Sequence, residues 1–268
     1  MCQSLFSYQI TKSPVGIETL NTNSIAVLLP TYCERENIEN LIREIQELNL
    51  RVRIIVVDDS SSDGTSDIVK ELAEEYGNII LVSRPGKLGL GTAITDGFRC
   101  ALKLKEVPEY IITMDSDYSH NPQDISRLVE SAKKGNDVVI GSRYVNGGKA
   151  RNWPFKRRLI SRLANVIANI VVGRRTQDCT SGFRCYSRIY IRNVLRNLHS
   201  TTYEIQIETI RQAHMNKFKV KEIPIIFINR KNGKSKLSSA EFMGFITYVT
   251  KAIFSNFALF LKQFRPIR

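Results

Sequence analysis

The chain has 268 residues, of which 43% are hydrophobic; this is enough to build a core and excludes an intrinsically disordered protein. Its formal net charge is +13, and the excess lies in the second half: residues 1–150 carry 16 Lys/Arg and 21 Asp/Glu, whereas residues 151–268 carry 23 and 5. This asymmetry indicates an anionic partner, which could be a nucleic acid, a phosphate-bearing substrate or an anionic membrane.

The cysteines and the first residues indicate the compartment. The five cysteines are odd in number and lack the spacing of metal ligands: Cys2, Cys33, Cys100, Cys179 and Cys185. We therefore expect free thiols in a reducing cytosol. Residues 1–23 show no charged segment followed by an apolar run, so they predict a polar extension and no secretory signal.

From Ile25 to Gly141, apolar runs alternate with segments of helical periodicity. The runs predict strands at 25–29, 53–57, 79–82, 110–114 and 137–141, and the segments between them predict amphipathic helices. Such alternation with short loops predicts an α/β fold with a doubly wound, mostly parallel sheet. Beyond Gly148 the pattern changes and predicts a helix at 155–172, a loop at 178–184 entering a strand, a helix at 203–215 and an extended segment at 219–229.

Acidic turns follow the second and fourth predicted strands. Asp58-Asp59 ends the second strand, and Asp115-Ser116-Asp117 follows the fourth. The carboxyl ends of parallel strands form one edge, where open α/β sheets bind ligands. Asp115 and Asp117 could supply oxygen ligands to Mg²⁺ or Mn²⁺ holding a diphosphate. The alternative is a turn whose aspartates bond their own backbone. His120 is expected to be a turn residue, and Asn121-Pro122 is expected to cap the next helix.

Two loops indicate a nucleotide. After the first strand, Tyr32 could stack on a base and Glu34 could accept a hydrogen bond from it, although Glu34 also suits an ordinary helix start. The loop 84–91 combines glycines with two cations, which suits a phosphate. It lacks the Gly-Lys-Ser/Thr of a Walker loop. No GxGxxG follows the first strand, which argues against a dinucleotide oxidoreductase.

Taken together, these motifs resemble the dolichol-phosphate mannosyltransferase group of inverting, GT-A-type glycosyltransferases of family 2. The resemblance extends from about Ile25 to Leu237. Its matching segments are Pro-Thr-Tyr-x-Glu at 30–34, Val-Asp-Asp-Ser-Ser-x-Asp-Gly-Thr at 57–65, Arg-Pro-Gly-Lys-Leu-Gly-Leu-Gly-Thr-Ala at 84–93, Met-Asp-x-Asp-x-Ser-His at 114–120, Gly-Ser-Arg-Tyr at 141–144, Thr-Ser-Gly-Phe-Arg at 180–184 and Arg-x-x-Gly-x-Ser-Lys at 230–236.

The resemblance implies roles for individual residues. Donor-binding residues would be Pro30, Tyr32, Glu34, Val57, Asp59, Asp115, Ser116, Asp117, Ser119, Arg143, Glu204, Arg230 and Lys236. Of these, Asp115, Asp117 and Ser119 would hold Mg²⁺ or Mn²⁺, and Asp117, Arg143, Arg230 and Lys236 would be catalytic. The sequence departs from the family pattern at Cys33, where Asn is usual, at Ser116, where Ala is usual, and at Ser119, where some members have a Gln metal ligand.

The implied activity is transfer of mannose from GDP-mannose to dolichyl or another polyprenyl phosphate, giving a lipid-linked mannose donor for protein glycosylation. The implied location is the cytoplasmic face of a membrane; no nucleic-acid partner is expected, and a membrane-anchoring partner subunit is left open. One alternative is a UDP-glucose-dependent polyprenyl-phosphate glucosyltransferase. A basic nucleic-acid-binding protein would explain the charge but not the acidic turns.

The sequence divides into an extension at 1–23, a glycosyltransferase domain at 24–237 and a C-terminal segment at 238–268. Within the last, Phe242 to Phe264 is apolar except for a stripe that includes Thr247, Lys251 and Ser255. Opposite this stripe we expect a broad apolar face of Phe242, Phe245, Ile246, Val249, Ile253, Phe257 and Phe260. This pattern predicts an amphipathic helix in the membrane interface that does not cross the bilayer. The alternative is a helix packed on the sheet.

Overall fold

The structure is a computed structural model, and it describes residues 24–48, 50–173, 176–229 and 243–254. The strands are β1 Ile25–Thr31, β2 Val52–Asp58, β3 Ile79–Ser83, β4 Tyr110–Thr113, β5 Val138–Ser142, β6 Lys149–Arg151, β7 Arg184–Ser187, β8 Val220–Pro224 and β9 Ile226–Ile228. The helices are α1 Arg35–Gln46, α2 Thr65–Tyr76, α3 Leu90–Lys103, α4 Asp124–Lys133, α5 Phe155–Val172, α6 Arg188–Val194, α7 Ile205–Met215 and α8 at 243–254. A 3₁₀ turn, Leu195–Asn197, follows α6.

Seven strands form the central sheet in the order β3-β2-β1-β4-β7-β5-β8, and β6 and β9 form a separate parallel pair. Within the large sheet, β7 runs antiparallel to β4 and β5, and the other neighbouring pairs are parallel. Ile25 of β1 aligns with Val52 on one side and Tyr110 on the other, so β1, β2 and β4 end at the same edge. The predicted doubly wound, mostly parallel α/β fold is confirmed.

The core has two layers because successive strand side chains point to opposite faces. Ala26 and Leu28 of β1 pack in the layer that contains α3, α5, α6, α7 and α8. Val27 and Leu29 pack in the opposite layer, which contains α1, α2 and α4. Helix α3 lies very close to the sheet, since a Cβ on Gly97 would overlap the side chain of Leu28.

Asn121 and Pro122 form the entry to α4, although the first regular helical residue is Asp124. Asn121 Oδ1 accepts a hydrogen bond from the Gln123 N–H at 3.0 Å, and its carbonyl accepts from the Asp124 N–H. A bond from the side chain to the N–H two residues later is one that an N-cap residue makes. The regular helix therefore begins two residues later than predicted, after a tight turn that Asn121 closes.

Helix α5 has the predicted bounds but leaves its apolar stripe uncovered by the described chain. Its buried residues are Asn165, Ala168, Val171 and Val172. Six large apolar side chains are 58–77% exposed: Phe155, Leu159, Ile160, Leu163, Val166 and Ile170. None of the described helices has the combination of length and apolarity that a bilayer span requires.

Helix α8 divides the apolar face predicted for the C-terminal segment. Val249 is buried in the core and Phe245 packs against it, so these two side chains do not face outward as predicted. Ile246 and Ile253 of the same predicted face are exposed, together with Met243 and Phe254. The division arises because α8 contacts the layer that contains α3 and α7. Phe242, Ser255, Phe257 and Phe260 lie outside the described residues.

Candidate active site

A cleft opens where β1, β2 and β4 end, and we call it the edge cleft. Its lining residues are Pro30, Thr31, Tyr32, Glu34, Asp59, Lys87, Gly89, Leu90, Ala93, Asp115, Ser116, Asp117 and Tyr203. Among the lining side chains, four are carboxylates and one is a cation, so the cleft is acidic. An anionic ligand therefore requires a compensating cation here.

The acidic residues that end β2 and begin the next turn have different tasks. Asp58 accepts hydrogen bonds from Thr31 Oγ1, Ser61 and Ser66, which closes the turn after β2. Asp63 accepts from the Thr65 N–H at 3.0 Å and so serves as a turn residue. Neither carboxylate lines the edge cleft.

Asp59 joins the edge cleft to the loop 84–91. Its carboxylate accepts hydrogen bonds from the Leu88 and Gly89 N–H groups, both at 3.1 Å, and from Arg84 Nη1 at 2.5 Å. Burial raises the pKa of the Asp59 carboxyl, although Arg84 and the two N–H groups oppose the rise. Arg84 is itself buried and also donates to Thr92 Oγ1. Of the two cations predicted to meet a phosphate, Arg84 is therefore committed to holding the loop.

Lys87 is the other cation of that loop, and it reaches the edge cleft. Its Nζ lies 4.7 Å from the centroid of the Tyr32 ring, a cation–π distance. Tyr32 is the ring predicted to stack on a base, so Lys87 covers a face that a base would use. Glu34, which also lines the cleft, accepts a hydrogen bond from Asn37 Nδ2 at 2.9 Å. The Lys87 ammonium therefore lies beside the aromatic side of the cleft.

The turn after β4 fixes Asp115 and Asp117 at the other side. Ser116 Oγ donates to the Pro30 carbonyl at 3.0 Å, which ties this turn to β1. Asp117 Oδ1 accepts from the Ser119 N–H at 3.1 Å. Tyr118 has a positive φ of 59°, and its hydroxyl donates to Glu44 at 2.9 Å.

His120 is a buried ring behind this turn. It stacks on Phe183 with centroids 4.9 Å apart, and its Nδ1 accepts from the Asp115 N–H at 3.3 Å. Burial lowers the pKa of His120 to about 4, so the ring is neutral at neutral pH. This confirms that His120 belongs to the turn, where it supports the backbone of Asp115.

The donor set suits a hard divalent cation. Asp115 and Asp117 offer carboxylate oxygens, and the absence of a side chain at Gly182 leaves space next to Asp115, since a Cβ there would lie 2.9 Å from Asp115 Oδ1. Ser119 Oγ is buried with no hydrogen-bond partner among the described residues. The described chain contains no cluster of three or more His, Cys, Asp or Glu that would form an all-protein cage. Two carboxylates are what Mg²⁺ uses when water and substrate phosphates complete its coordination.

Arg143 is buried next to three aromatic rings, those of Tyr144, Trp153 and Phe227. Its Nε donates to Asp178 Oδ2 at 2.7 Å, and its Nη2 donates to Asp178 Oδ1 at 2.6 Å and to Thr180 at 2.7 Å. The guanidinium also lies 5.2 Å from the Trp153 ring centroid. Burial alone would raise the pKa of Asp178, but Arg143 outweighs that effect and holds the pKa below its usual value.

Four predicted site residues within the described part of the chain do not line the edge cleft: Val57, Ser119, Arg143 and Glu204. The Val57 side chain is fully buried in the core at one of the inward positions of β2. Glu204 is buried, and its carboxylate bonds Thr201 and Thr202 instead of lining the cleft. Arg230 and Lys236 lie outside the described residues. Sequence reasoning missed Tyr203, since no motif includes it.

Comparison with known proteins identifies the family. The sequence profile of Glycosyl transferase family 2 matches residues 26–195, which include the end of every strand that lines the edge cleft. The chain belongs to glycosyl transferase family 2.

Relatives of this family-2 glycosyltransferase match most of its length. It is 38% identical to a polyprenol monophosphomannose synthase of Mycolicibacterium smegmatis over 221 residues, which is 82% of this chain and 83% of that protein. It is 34% identical to a dolichol-phosphate mannosyltransferase of Pyrococcus furiosus over 229 residues, which is 84% of this chain. The match spans only 62% of the Pyrococcus protein.

Solved structures share the fold of the glycosyltransferase. A glucosyl-3-phosphoglycerate synthase of Mycobacterium tuberculosis, in complex with Mn²⁺, UDP and glucosyl-3-phosphoglycerate, superposes with a TM-score of 0.62 at 19% identity, covering 87% of this chain and 79% of that one. A mannosyltransferase of Pyrobaculum calidifontis, in complex with GDP-mannose and Mn²⁺, gives 0.54 at 16% identity, covering 79% and 58%. The fold is therefore of the predicted GT-A type.

Proposed function

We propose that this glycosyltransferase transfers mannose from GDP-mannose to dolichyl or another polyprenyl phosphate. The observation that carries the proposal is the edge cleft, which is lined by the half-buried Tyr32 ring just after β1 and by two carboxylates in the turn after β4. That pairing suits a base at one side and a metal-bound diphosphate at the other. The names of the two relatives supply the sugar and the lipid acceptor.

The acceptor explains why the cleft needs no catalytic base. An oxygen of the lipid phosphate is already anionic, so it attacks the anomeric carbon of mannose as the bond to GDP breaks, and the configuration inverts. No proton has to be removed from the nucleophile. No histidine lines the edge cleft, and His120 is buried and neutral. Positioning and charge stabilisation remain as the sources of catalysis.

Within this proposal, Asp115, Asp117 and Ser119 hold Mg²⁺ or Mn²⁺. When bound, the ion neutralises charge on the departing diphosphate. Tyr32 stacks on the base, and Glu34 accepts a hydrogen bond from its edge. Pro30 and Ser116 position the turn through the bond between Ser116 Oγ and the Pro30 carbonyl. Arg143 acts on phosphate from beneath, and Arg230 and Lys236 add positive charge.

The uncovered apolar surfaces support attachment to a membrane. The exposed stripe of α5 is accompanied by Lys156, Arg158 and Arg162, which are also exposed, and α5 contains no acidic residue. Apolar side chains flanked by cations suit the interface of an anionic bilayer. We propose that α5 and the segment 238–268 lie on the cytoplasmic face, where the lipid phosphate is presented.

Sedimentation with vesicles tests this attachment. The isolated chain is expected to bind anionic vesicles and to resist release by high salt, because apolar burial is insensitive to screening. Failure to bind would assign attachment to a membrane-anchoring partner subunit. Retention on neutral vesicles after Leu159→Ser and Leu163→Ser would contradict the role of α5.

Nucleotide binding tests the donor. By calorimetry with Mn²⁺, GDP is expected to bind more tightly than UDP. Preference for UDP would favour a UDP-glucose-dependent polyprenyl-phosphate glucosyltransferase. Binding of RNA with a steep salt dependence, and of neither nucleotide, would favour a nucleic-acid-binding protein.

A further inference from the structure

The backbone at 199–204 forms a support behind the edge cleft, and we call it the backing segment. Its Thr201 carbonyl accepts hydrogen bonds from the Gly91 N–H at 3.0 Å and the Thr92 N–H at 3.4 Å. The Thr201 carbonyl therefore accepts from two N–H groups in the first turn of α3 that have no acceptor within the helix, where no side chain caps the helix. A Cβ on Gly89 would overlap this carbonyl, and a Cβ on Gly91 would overlap that of Ser200. The contact is backbone against backbone.

The backing segment also reaches the cleft directly. Tyr203 lines it, as do Gly89, Leu90 and Ala93 at the start of α3. A shift of Thr201 would thus move both walls, one through α3 and the other through Tyr203.

Two buried carboxylates hold four consecutive N–H groups of the backing segment. Glu208 accepts from His199 at 3.0 Å and from Ser200 at 2.9 Å. Glu204 accepts from Thr201 and Thr202, both at 3.0 Å. Both glutamates are 5–6% exposed, and neither lines the edge cleft. Each carboxyl group therefore fixes two adjacent backbone N–H groups of the backing segment.

Helix α8 closes the far side of the same support. A Cβ on Gly244 would lie 2.9 Å from Thr202 Oγ1 and 3.3 Å from Glu204 Oε2. A methyl at Gly244 would therefore displace the ends of the Thr202 and Glu204 side chains. Helix α8 therefore packs against the backing segment, which in turn packs against the start of α3 at the edge cleft. The outer side of the same helix exposes Ile253 and Phe254.

We propose that Glu204 and Glu208 are positioning residues for the sugar-nucleotide donor. They fix the backing segment, the segment fixes the α3 start and Tyr203, and α8 keeps the glutamates in place. The inference rests on the proposed function in that the edge cleft takes a nucleoside diphosphate. It assigns to the Glu204 side chain a role behind the wall of the cleft, not in contact with the donor.

Three variants test the inference by GDP calorimetry with Mn²⁺ and by steady-state kinetics. Glu208→Gln keeps the shape of the side chain but places an NH₂ group opposite one of the backbone N–H groups. Gly244→Ala adds a methyl group on α8 that contacts Thr202 and Glu204. Both are expected to raise the Kd for GDP and the KM for the donor five- to tenfold, with kcat within twofold of wild type. Asp137→Asn is the matched control, because Asp137 accepts from the Lys219 N–H at 3.0 Å at the opposite edge of the sheet; its Kd should not change.

The outcomes separate the possible explanations. A merely structural role would lower Tm and the active fraction, and so kcat, while leaving the KM for the donor unchanged; that result would overturn the inference. If Glu208→Gln does not fold, Gly244→Ala decides by the same criterion. Failure of the wild-type protein to bind GDP, UDP or ADP would overturn the proposed function and the inference with it. Wild-type binding with unchanged affinity in both variants would overturn the inference alone.

Discussion

Replacing Asp178 with Asn should unbalance a buried charge. Asp178 is fully buried and receives three hydrogen bonds from Arg143, which is itself 8% exposed. The amide keeps the volume but removes the negative charge, so the guanidinium remains buried without a counter-ion. Removing one partner of a buried pair costs about 3–5 kcal/mol. In a chain of this size about 1 kcal/mol moves Tm by roughly 2–4 °C, so we expect a fall in Tm of about 10 °C.

Thermal unfolding of three variants checks this reasoning. Asp67→Asn is the control, because its pair with Lys70 is exposed and should matter by less than about 0.5 kcal/mol. Arg143→Met combined with Asp178→Asn should recover much of the loss, since no buried charge remains. A Tm for Asp178→Asn within 2 °C of wild type would refute the argument.

The effect of Asp178 should also depend on pH. Its pKa is depressed in the folded protein, so its contribution is fully present above the unfolded value of about 3.9. The contribution is lost as the pH falls through the folded pKa. The Tm difference between wild type and Asp178→Asn should therefore be full at pH 7 and should shrink below about pH 4. A difference that grows on acidification would contradict this sign.

Three further predictions concern the cleft and the core. Lys87→Met should weaken GDP binding about fivefold, roughly 1 kcal/mol, because it removes the cation that lines the cleft; equal weakening by Lys70→Met would point to net charge instead. Asp117→Asn should abolish the metal dependence of GDP binding while Tm is kept, and full activity in excess EDTA would contradict a metal role. Gly97→Ala should lower the free energy of unfolding by about 1–3 kcal/mol because its methyl meets Leu28, whereas Gly86→Ala, with open space around it, should be neutral within about 0.5 kcal/mol.

The parts of the fold that local pattern controls were predictable. The alternation of apolar runs and helical periodicities predicted β1 to β5 and the helices between them, and the bounds of α5 were correct. The placement of β7 between β4 and β5 could not be predicted, because strand order depends on contacts between distant segments. The exposed stripe of α5 could not be predicted either, since amphipathic periodicity does not reveal what covers the apolar side.

In the site, motifs identified the residues that end strands but not the partners of the charges. The composition of the loop 84–91 indicated Arg84 as a cation suited to phosphate, and the family resemblance implied the same for Arg143. The structure pairs them with Asp59 and Asp178, which lie 25 and 35 residues away. Glu208 belongs to no motif, and no sequence pattern indicates that its carboxylate accepts from backbone N–H groups a few residues earlier in the chain.

The most direct test of the account is the mass of the lipid product. The purified chain would be incubated with Mn²⁺, a defined polyprenyl phosphate and, in separate reactions, GDP-mannose or UDP-glucose. The account predicts a polyprenyl phosphate heavier by one hexose with GDP-mannose, none with UDP-glucose, and none from the Asp117→Asn variant. Product from UDP-glucose alone, or no lipid product from GDP-mannose in the presence of vesicles, would contradict it.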